Sequence, residues 1–486
     1  MEEKKYFLKN TFILFLGKIF TQFMSFILLP LYTAYLSTTD YGIADLISTY
    51  VVFLAPLFCM QIETAAFRFL INSRNNVSKS NKIIKSITLF VIKILVIFSL
   101  ILIFINVFFS IPYFLYILIY AILFELYSLN QQISRGLGHN IEYAISSCIY
   151  GLLIILCNII FIIKFKLGIV GLLLSYIIAS CISLLYLLIK NKILKIIIKT
   201  DIKNDKTNLV KESLEYSTPL IPSSISWWIL NVSDRTVISY FINPAANGIY
   251  SISNKFSSIY IGVFNIVSLS WTESVALQID SKNSVLEELY NVIIKLFFII
   301  LIMMIGVIPI IYPYFIGKNF YSSYYYVPIL LLGSLFNVGF GLTQSLYIGL
   351  KKTKTLAKTA MFCALINLVI DLCLVKYIGI YAAAVSTMIA YFALFVYQYV
   401  DINKYYKIKL DIYSNIYMLI IFFIGIIMYY INIFLYSIIY IIISMIILII
   451  FNYKYIEKYK KNILKRIKIY RRWYYEKNIN YKRCRL

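Results

Sequence analysis

Histidine, paired cysteines and acidic side chains are all scarce in this chain, and each scarcity removes a class of function. His139 is the single histidine among 486 residues. It follows the fourth apolar run in a short loop and reads as a solvated loop residue rather than a ligand. The seven cysteines are scattered and none forms a CxxC, so no Cys/His zinc site can be assembled. Six of them (Cys59, Cys148, Cys157, Cys181, Cys363, Cys373) lie in apolar runs and read as small core or lipid-facing residues, with no disulfide. There is no Gly-rich phosphate loop and no carboxylate pair of the kind that handles nucleotide sugars, so neither a cofactor nor a metal is expected. Asp and Glu number 21 against 46 Lys and Arg, a net charge of +25.

Apolar residues are plentiful: 61% of the chain is hydrophobic and only 14% charged. Apolar runs of about 20 residues recur throughout and read as transmembrane helices. A β-barrel would alternate polar and apolar residues, and these runs do not. The first run continues to about Ala34 without a small-residue cleavage site, so no cleavable signal peptide is expected. Fourteen spans are predicted, near residues 9–34, 43–66, 84–109, 113–134, 141–163, 168–189, 217–241, 249–273, 291–312, 325–350, 357–375, 380–400, 412–430 and 433–452.

The distribution of Lys and Arg tests that count. With a cytoplasmic N-terminus, only Lys164, Lys166, Lys318 and Lys376 fall on the outer side, and Lys18, Lys93, Arg235, Lys255 and Lys295 lie within spans. The other 37 are cytoplasmic, a strong positive-inside asymmetry that places both termini inside. The net charge therefore needs no nucleic acid to explain it. Outer loops are too short for an extracytoplasmic catalytic or receptor domain. The longest inner loop, residues 190–216, is rich in lysine and reads as a linker lying against anionic lipid.

That linker divides two halves that resemble each other. Residues 36–43 parallel 242–249, each a turn after the first span of its half. Gly168-Ile169, Ser175 and Ile178-Ala179 match Gly379-Ile380, Ser386 and Ile389-Ala390. Six spans separate the matches, so the halves share one orientation, as in a parallel repeat around a central cavity. The predicted architecture is an all-α multi-pass membrane protein with two six-helix lobes: an N-lobe at 1–190, the linker at 191–216 and a C-lobe at 217–400. Helices 13 and 14 follow at 401–452, then a basic cytoplasmic tail at 453–486. The last two spans carry no charge and read as a lipid-facing addition. The tail reads either as a basic amphipathic helix on the inner leaflet or as a disordered basic segment.

Charge inside the spans concentrates at residues 217–272. Asp234 and Arg235 sit in the seventh span and Lys255 in the eighth. An ionised side chain near the bilayer centre costs ~3 kcal/mol or more, so such residues usually face a partner or a watery cavity. Ser217, Ser224, Asn231 and Arg235 share one helix face, as do Ser251, Lys255, Ser258, Gly262, Asn265 and Thr272. Two polar-striped helices with two cations suggest a hydrated, positive interior that receives an anion. The alternative is that Asp234 and Arg235 neutralise each other or a neighbour, and that the stripes are contacts between small residues. Span one has a similar stripe with Lys18. Span two carries Asp45 at its outer end, Pro56, and Glu63 and Arg68 toward the cytoplasm. Glu125 in span four and Asp371 in span eleven are each either a proton site or a buried partner for Lys18 or Lys93.

Three blocks resemble the Wzx-type polysaccharide flippases. The first runs from Asn10-Thr-Phe-Ile through Gly17-Lys18, Leu29-Pro30-Leu-Tyr32 and Asp40-Tyr-Gly-Ile-Ala-Asp45. The second is Gln61-Ile-Glu63-Thr-Ala-Ala-Phe67-Arg68-Phe69. The third comprises Pro219-Leu-Ile-Pro222, Trp227-Trp228, Asp234-Arg235, Gly248-Ile-Tyr250 and Lys255. The resemblance implies the multidrug/oligosaccharidyl-lipid/polysaccharide exporter fold. It also implies transfer of an undecaprenyl-diphosphate-linked oligosaccharide across a bacterial plasma membrane. On that reading Arg235, Lys255 and Lys18 attract the diphosphate, with Asp234, Glu63, Arg68, Glu125 and Asp371 as supporting or coupling candidates. The implied partners are the lipid-linked oligosaccharide, anionic lipids, a coupling proton or sodium ion, and polysaccharide polymerase machinery. A drug or cation antiporter and a lipid II flippase of the same superfamily are the nearest rivals. A membrane polymerase or ligase would need a large outer loop, and a scaffold would not need charges inside its helices.

Overall fold

The computed structural model describes residues 26–201, 208–279, 285–350 and 352–449. Lys18, most of the first predicted span and the basic tail lie outside the described residues. Within them the chain is helical, with no strand. In hydrocarbon each segment must satisfy its own backbone N–H and C=O groups, so runs rich in Ile, Phe and Tyr fold as helices despite their strand preference.

In chain order the helices are α1 (Leu29–Tyr35), α2 (Thr38–Phe58), α3 (Ile62–Ser73), α4 (Val77–Phe109), α5 (Phe114–Leu137) and α6 (Asn140–Asn158), which runs on through a π turn at Ile159–Lys164. Then come α7 (Gly168–Lys190), α8 (Ile193–Lys199), α9 (Leu209–Ser217), α10 (Ile221–Phe241), α11 (Pro244–Gln278) and α12 (Val285–Phe315). After a 3-10 segment at Lys318–Tyr326 follow α13 (Val327–Gly349), α14 (Thr353–Ile378), α15 (Tyr381–Ile402), α16 (Ile412–Ile431) and α17 (Phe434–Ile449). Among the described residues, 11 helices are long and apolar enough to cross a membrane. α10 has the length, at 21 residues, but its Ser, Asn, Asp and Arg side chains keep it out of that set.

Local chemistry sets the ends. Ser37 caps α2 by accepting the Asp40 N–H at 3.0 Å, and Asn243 caps α11 by accepting the Ala246 N–H at 2.8 Å, with Pro244 in the first turn. α5 stops at Gly138, whose φ of 87° suits a residue without a Cβ. Arg74 then covers the free carbonyls of that end, donating to Gly136 O at 2.7 Å and Arg135 O at 2.8 Å.

Two segments differ from expectation. The second span, expected through residue 66, ends at Phe58. Met60 and Gln61 turn left-handed, the Gln61 N–H bonds back to Pro56 O at 2.9 Å, and a separate helix starts at Ile62. This is a Schellman-type stop made without glycine. Glu63 and Arg68 therefore ride on α3 rather than on a membrane-length helix. The lysine-rich linker also holds two short helices, α8 and α9, anchored by buried Ile193 and Leu209.

The two halves meet along α2 and α11 in a reciprocal way. A Cβ on Gly42 would collide with the Pro244 carbonyl oxygen, and a Cβ on Gly248 would collide with the Thr38 carbonyl oxygen. Gly248 is the sequence equivalent of Gly42, and Pro244 of Thr38, each displaced by the 206 residues that also separate Asp45 from its hydrogen-bond donor Ser251. The Asn247 side chain pins the contact, donating to Gly42 O at 2.8 Å. α7 likewise begins at a positive-φ glycine, Gly168, and α15 follows one, Gly379.

The chain divides into two compact units. One comprises Met1–Phe297 with Tyr312–Leu410 and contains every polar group discussed below. The other comprises Phe298–Ile311 with Asp411–Leu486; within it the Tyr440 hydroxyl donates to Ile421 O at 3.2 Å and its ring fills the space left by Gly425.

Candidate functional site

α2, α10 and α11 bring together a charged group that periodicity alone does not reveal. Asp45 of α2 is 8% exposed. The Arg235 Nε of α10 lies 3.3 Å from its Oδ2, and the same guanidinium donates to the Thr49 hydroxyl. Ser251 of α11 donates to the same carboxylate. Beside them the Thr236 hydroxyl donates to Val232 O at 3.0 Å and lies 2.7 Å from the Tyr50 hydroxyl. Lys255 lines a cavity of about 110 Å³ with Asp45, Ser48, Tyr32, Tyr41, Tyr150 and Tyr176. Two of these wall tyrosines are backed by other rings: Tyr176 stacks on Tyr120 at 5.4 Å and Tyr150 on Tyr127 at 5.2 Å. One carboxylate thus faces two cations, leaving the group with a net positive charge inside the membrane.

Asp234 and Arg235 do not neutralise each other by an ion pair. Consecutive helical residues point about 100° apart. Arg235 therefore reaches the N-terminal half, while Asp234 turns into the C-terminal half. There Asp234 Oδ2 accepts from Tyr250 at 2.7 Å and from Thr387 at 2.6 Å. Asn367 of α14 donates to Thr387 at 3.1 Å and to Ser386 at 3.3 Å, and accepts from Ser233 at 3.0 Å. One turn along α14, Asp371 is fully buried, and neither of its carboxylate oxygens has a hydrogen-bond partner. Asp234 is its charged neighbour.

The remaining candidates disperse. Glu63 and Glu125 are both buried in the N-terminal half, away from Arg235 and Lys255. Arg68 is exposed on α3, and Lys18 lies outside the described residues. Trp227 packs on Phe340 at 6.1 Å and Trp228 on Tyr50 at 6.2 Å. His139 is not a free loop residue: its Nδ1 lies 2.8 Å from Asn191 Oδ1. Asp45, Thr49, Tyr41 and Tyr176 join the site although sequence reasoning assigned them no role there. The signal available for Asp45 was its equivalence to Ser251 in the other half.

The polysaccharide biosynthesis protein family matches residues 7–271. No curated protein matches. Among solved structures, a lipid II flippase MurJ in an inward closed conformation is 18% identical, covering 92% of this chain and 100% of its own, with a TM-score of 0.66. An inward-facing multidrug resistance MATE family transporter of the MOP superfamily is 14% identical, covering 78% and 97% respectively, with a TM-score of 0.58. A point mutant of the Vibrio cholerae MATE transporter VcmN is 13% identical over 82% of this chain and 96% of its own, at 0.56. These likenesses show that the chain shares the fold of these membrane proteins.

Proposed function

Since this chain belongs to the polysaccharide biosynthesis protein family, we propose that it is a flippase carrying an undecaprenyl-diphosphate-linked oligosaccharide repeat unit from the inner to the outer leaflet of a bacterial plasma membrane. The observation that carries this reading is the net-cationic Asp45–Arg235–Lys255 group beside a tyrosine-lined cavity. A diphosphate is a bidentate acceptor matched to the Arg235 guanidinium, and Lys255 adds a point charge. Tyrosine rings offer flat faces and hydroxyls to sugars. Lys18 is assigned to the same task by resemblance.

Arg235 belongs to the C-terminal half and Asp45 to the N-terminal half, so the resting ion pair ties the halves together. A diphosphate that captures the guanidinium displaces Asp45 and loosens that tie, which links loading to opening. The cavity is far below the roughly 300–1,000 Å³ of an ordinary ligand site, so the head group needs the halves to separate. In this reading the lobes are residues 1–190 and 217–400, with the termini cytoplasmic. The lipid tail stays in the bilayer and the product passes to polysaccharide polymerase machinery.

The Asp234–Asn367–Asp371–Thr387 group supplies clustered oxygens and an unpartnered buried carboxylate, the setting for a coupling proton or sodium ion. Asp371→Asn is expected to slow transport at least tenfold and abolish its dependence on the ion gradient, checked by flipping assays under imposed gradients. Unchanged gradient dependence would remove Asp371 from coupling.

The test of the function is lipid mass spectrometry on a deletion strain. Accumulated undecaprenyl-diphosphate oligosaccharide with the sugar sequence of the surface polymer, cleared on re-expression, is the expected result. Accumulated lipid II would make the chain a lipid II flippase. A change in drug sensitivity alone would make it an antiporter.

A further inference from the structure

The first turns of α4, the end of α7 and the short helix α8 enclose a basic groove that the flippase reading does not use. Its volume is about 650 Å³, within the roughly 300–1,000 Å³ of an ordinary ligand site. Its lining holds four lysines, Lys82, Lys192, Lys195 and Lys199, against one acid, Asp201.

α8 presents three faces, because successive helical residues turn by about 100°. Ile193 and Ile197 face the N-terminal core, and Ile193 is fully buried. Lys192, Lys195, Ile196 and Lys199, each three or four residues from the next or nearer, line the groove. Leu194 and Ile198 point to neither, and they are 58% and 79% exposed. Hydrogen bonds hold the walls in place. Lys85 of α4 donates to Thr200 O, just past α8, at 2.7 Å. Asn191, buried just after α7, donates to Ser134 Oγ at 2.6 Å, and its Oδ1 lies 2.8 Å from His139 Nδ1. On the far wall Ser78 and Asn81 lie in the first turns of α4, the helix end whose free N–H groups favour anions.

A net-positive groove with hydroxyl and amide donors fits a phosphate. Exposed Val77, Leu194 and Ile198 beside it suit a ligand that also carries an apolar part. α8 follows directly on α7, a helix long and apolar enough to cross a membrane, so the groove lies where a membrane surface would be. We propose that the groove binds the head group of an anionic phospholipid, with the acyl chains running past Leu194 and Ile198 into the bilayer. The lysines act as point charges on the phosphate, and Ser78 and Asn81 donate to its oxygens. Only the choice of leaflet rests on the proposed orientation, which makes it the inner one. Lys211 of the same linker is exposed and outside the groove, and this separates a built site from general attraction to a charged surface.

The test is native mass spectrometry on the purified full-length protein with equal amounts of phosphatidylglycerol and phosphatidylcholine. Wild type should retain phosphatidylglycerol in preference. K195Q/K199Q should weaken that binding about tenfold, and the charge-matched control K211Q/K407Q should not. Ser78→Glu is a second variant. It puts a carboxylate into the groove where the start of a helix favours an acid, so binding lost there is not folding lost. Phosphatidylglycerol held no better than phosphatidylcholine, or lost equally from the control, would overturn the proposal. Displacement of the lipid by free glycerol phosphate at the same concentration would make this a soluble-anion site and would equally contradict it. The readout needs no transport, so it succeeds or fails apart from the flippase reading.

Discussion

Arg235→Ala is expected to bring transport to background, with two separable causes. The first is structural. Arg235 is the cation against Asp45, a carboxylate only 8% exposed. Removing one partner of a buried pair costs about 3–5 kcal/mol, because the survivor is left charged and dry. The second is functional. Charge-assisted hydrogen bonds contribute about 1.5–3 kcal/mol each, so losing a bidentate contact to diphosphate should weaken binding by roughly 100-fold or more. The double variant Asp45→Asn/Arg235→Ala separates the two: thermal stability should recover in part, since the Asp45 carboxylate is no longer left charged without Arg235, while flipping stays at background. Flipping restored along with stability would make Arg235 a strut and not a substrate ligand. Lys255→Ala removes a cation that lines the cavity without closing the Asp45–Arg235 pair. It should cost less stability while still lowering transport about tenfold, the scale of one charge contact.

Gly42→Ala should produce a large effect for a single methyl group, since among the described glycines its Cβ would meet the tightest contact. Its new Cβ would occupy the place of the Pro244 carbonyl oxygen and approach the Gly248 nitrogen to 2.8 Å. Both obstacles are backbone, so no rotamer change relieves them. The helices α2 and α11 must move apart, loosening the Asn247–Gly42 bond and the Asp45–Ser251 and Asp45–Arg235 contacts. Overpacking of this kind costs about 1–3 kcal/mol, and here it falls at the first turns of α2 and α11, where the halves meet. In a background lacking the native cysteines, Ser48→Cys lines the central cavity. An impermeant thiol reagent added outside should label it slowly when residue 42 is glycine and several-fold faster when it is alanine. Equal labelling would show that this contact does not close the cavity to the outside in the proposed orientation.

The sequence showed most of the fold because lipid forces apolar runs of span length into helices. α10 was expected as the seventh span, at 217–241, although its polar side chains keep it out of the set of helices apolar enough to cross a membrane. The stop at Phe58 was hidden because Cys59, Met60 and Ile62 continue the apolar run and no glycine marks the turn. The helices in the linker were hidden by their lysines, although Ile193 and Leu209 bury against the N-terminal half.

The site was legible in part. Arg235 and Lys255 were visible as cations where charge is costly, and both lie at the contact of the halves. Their counter-charge was not visible, because Asp45 is nearly two hundred residues away and pairing across halves leaves no local pattern. The adjacent Asp234 pointed to a false partner that helical geometry turns away.

Reconstituted flipping tests the central claim most directly. Lipid-linked oligosaccharide purified from the deletion strain is placed in liposomes with the purified chain, and an impermeant glycosidase digests what the outer leaflet exposes. Wild-type vesicles should yield nearly all of the glycan within minutes, and Arg235→Ala vesicles only the half that starts outside. If wild-type vesicles release no more than protein-free ones, the chain does not flip this lipid.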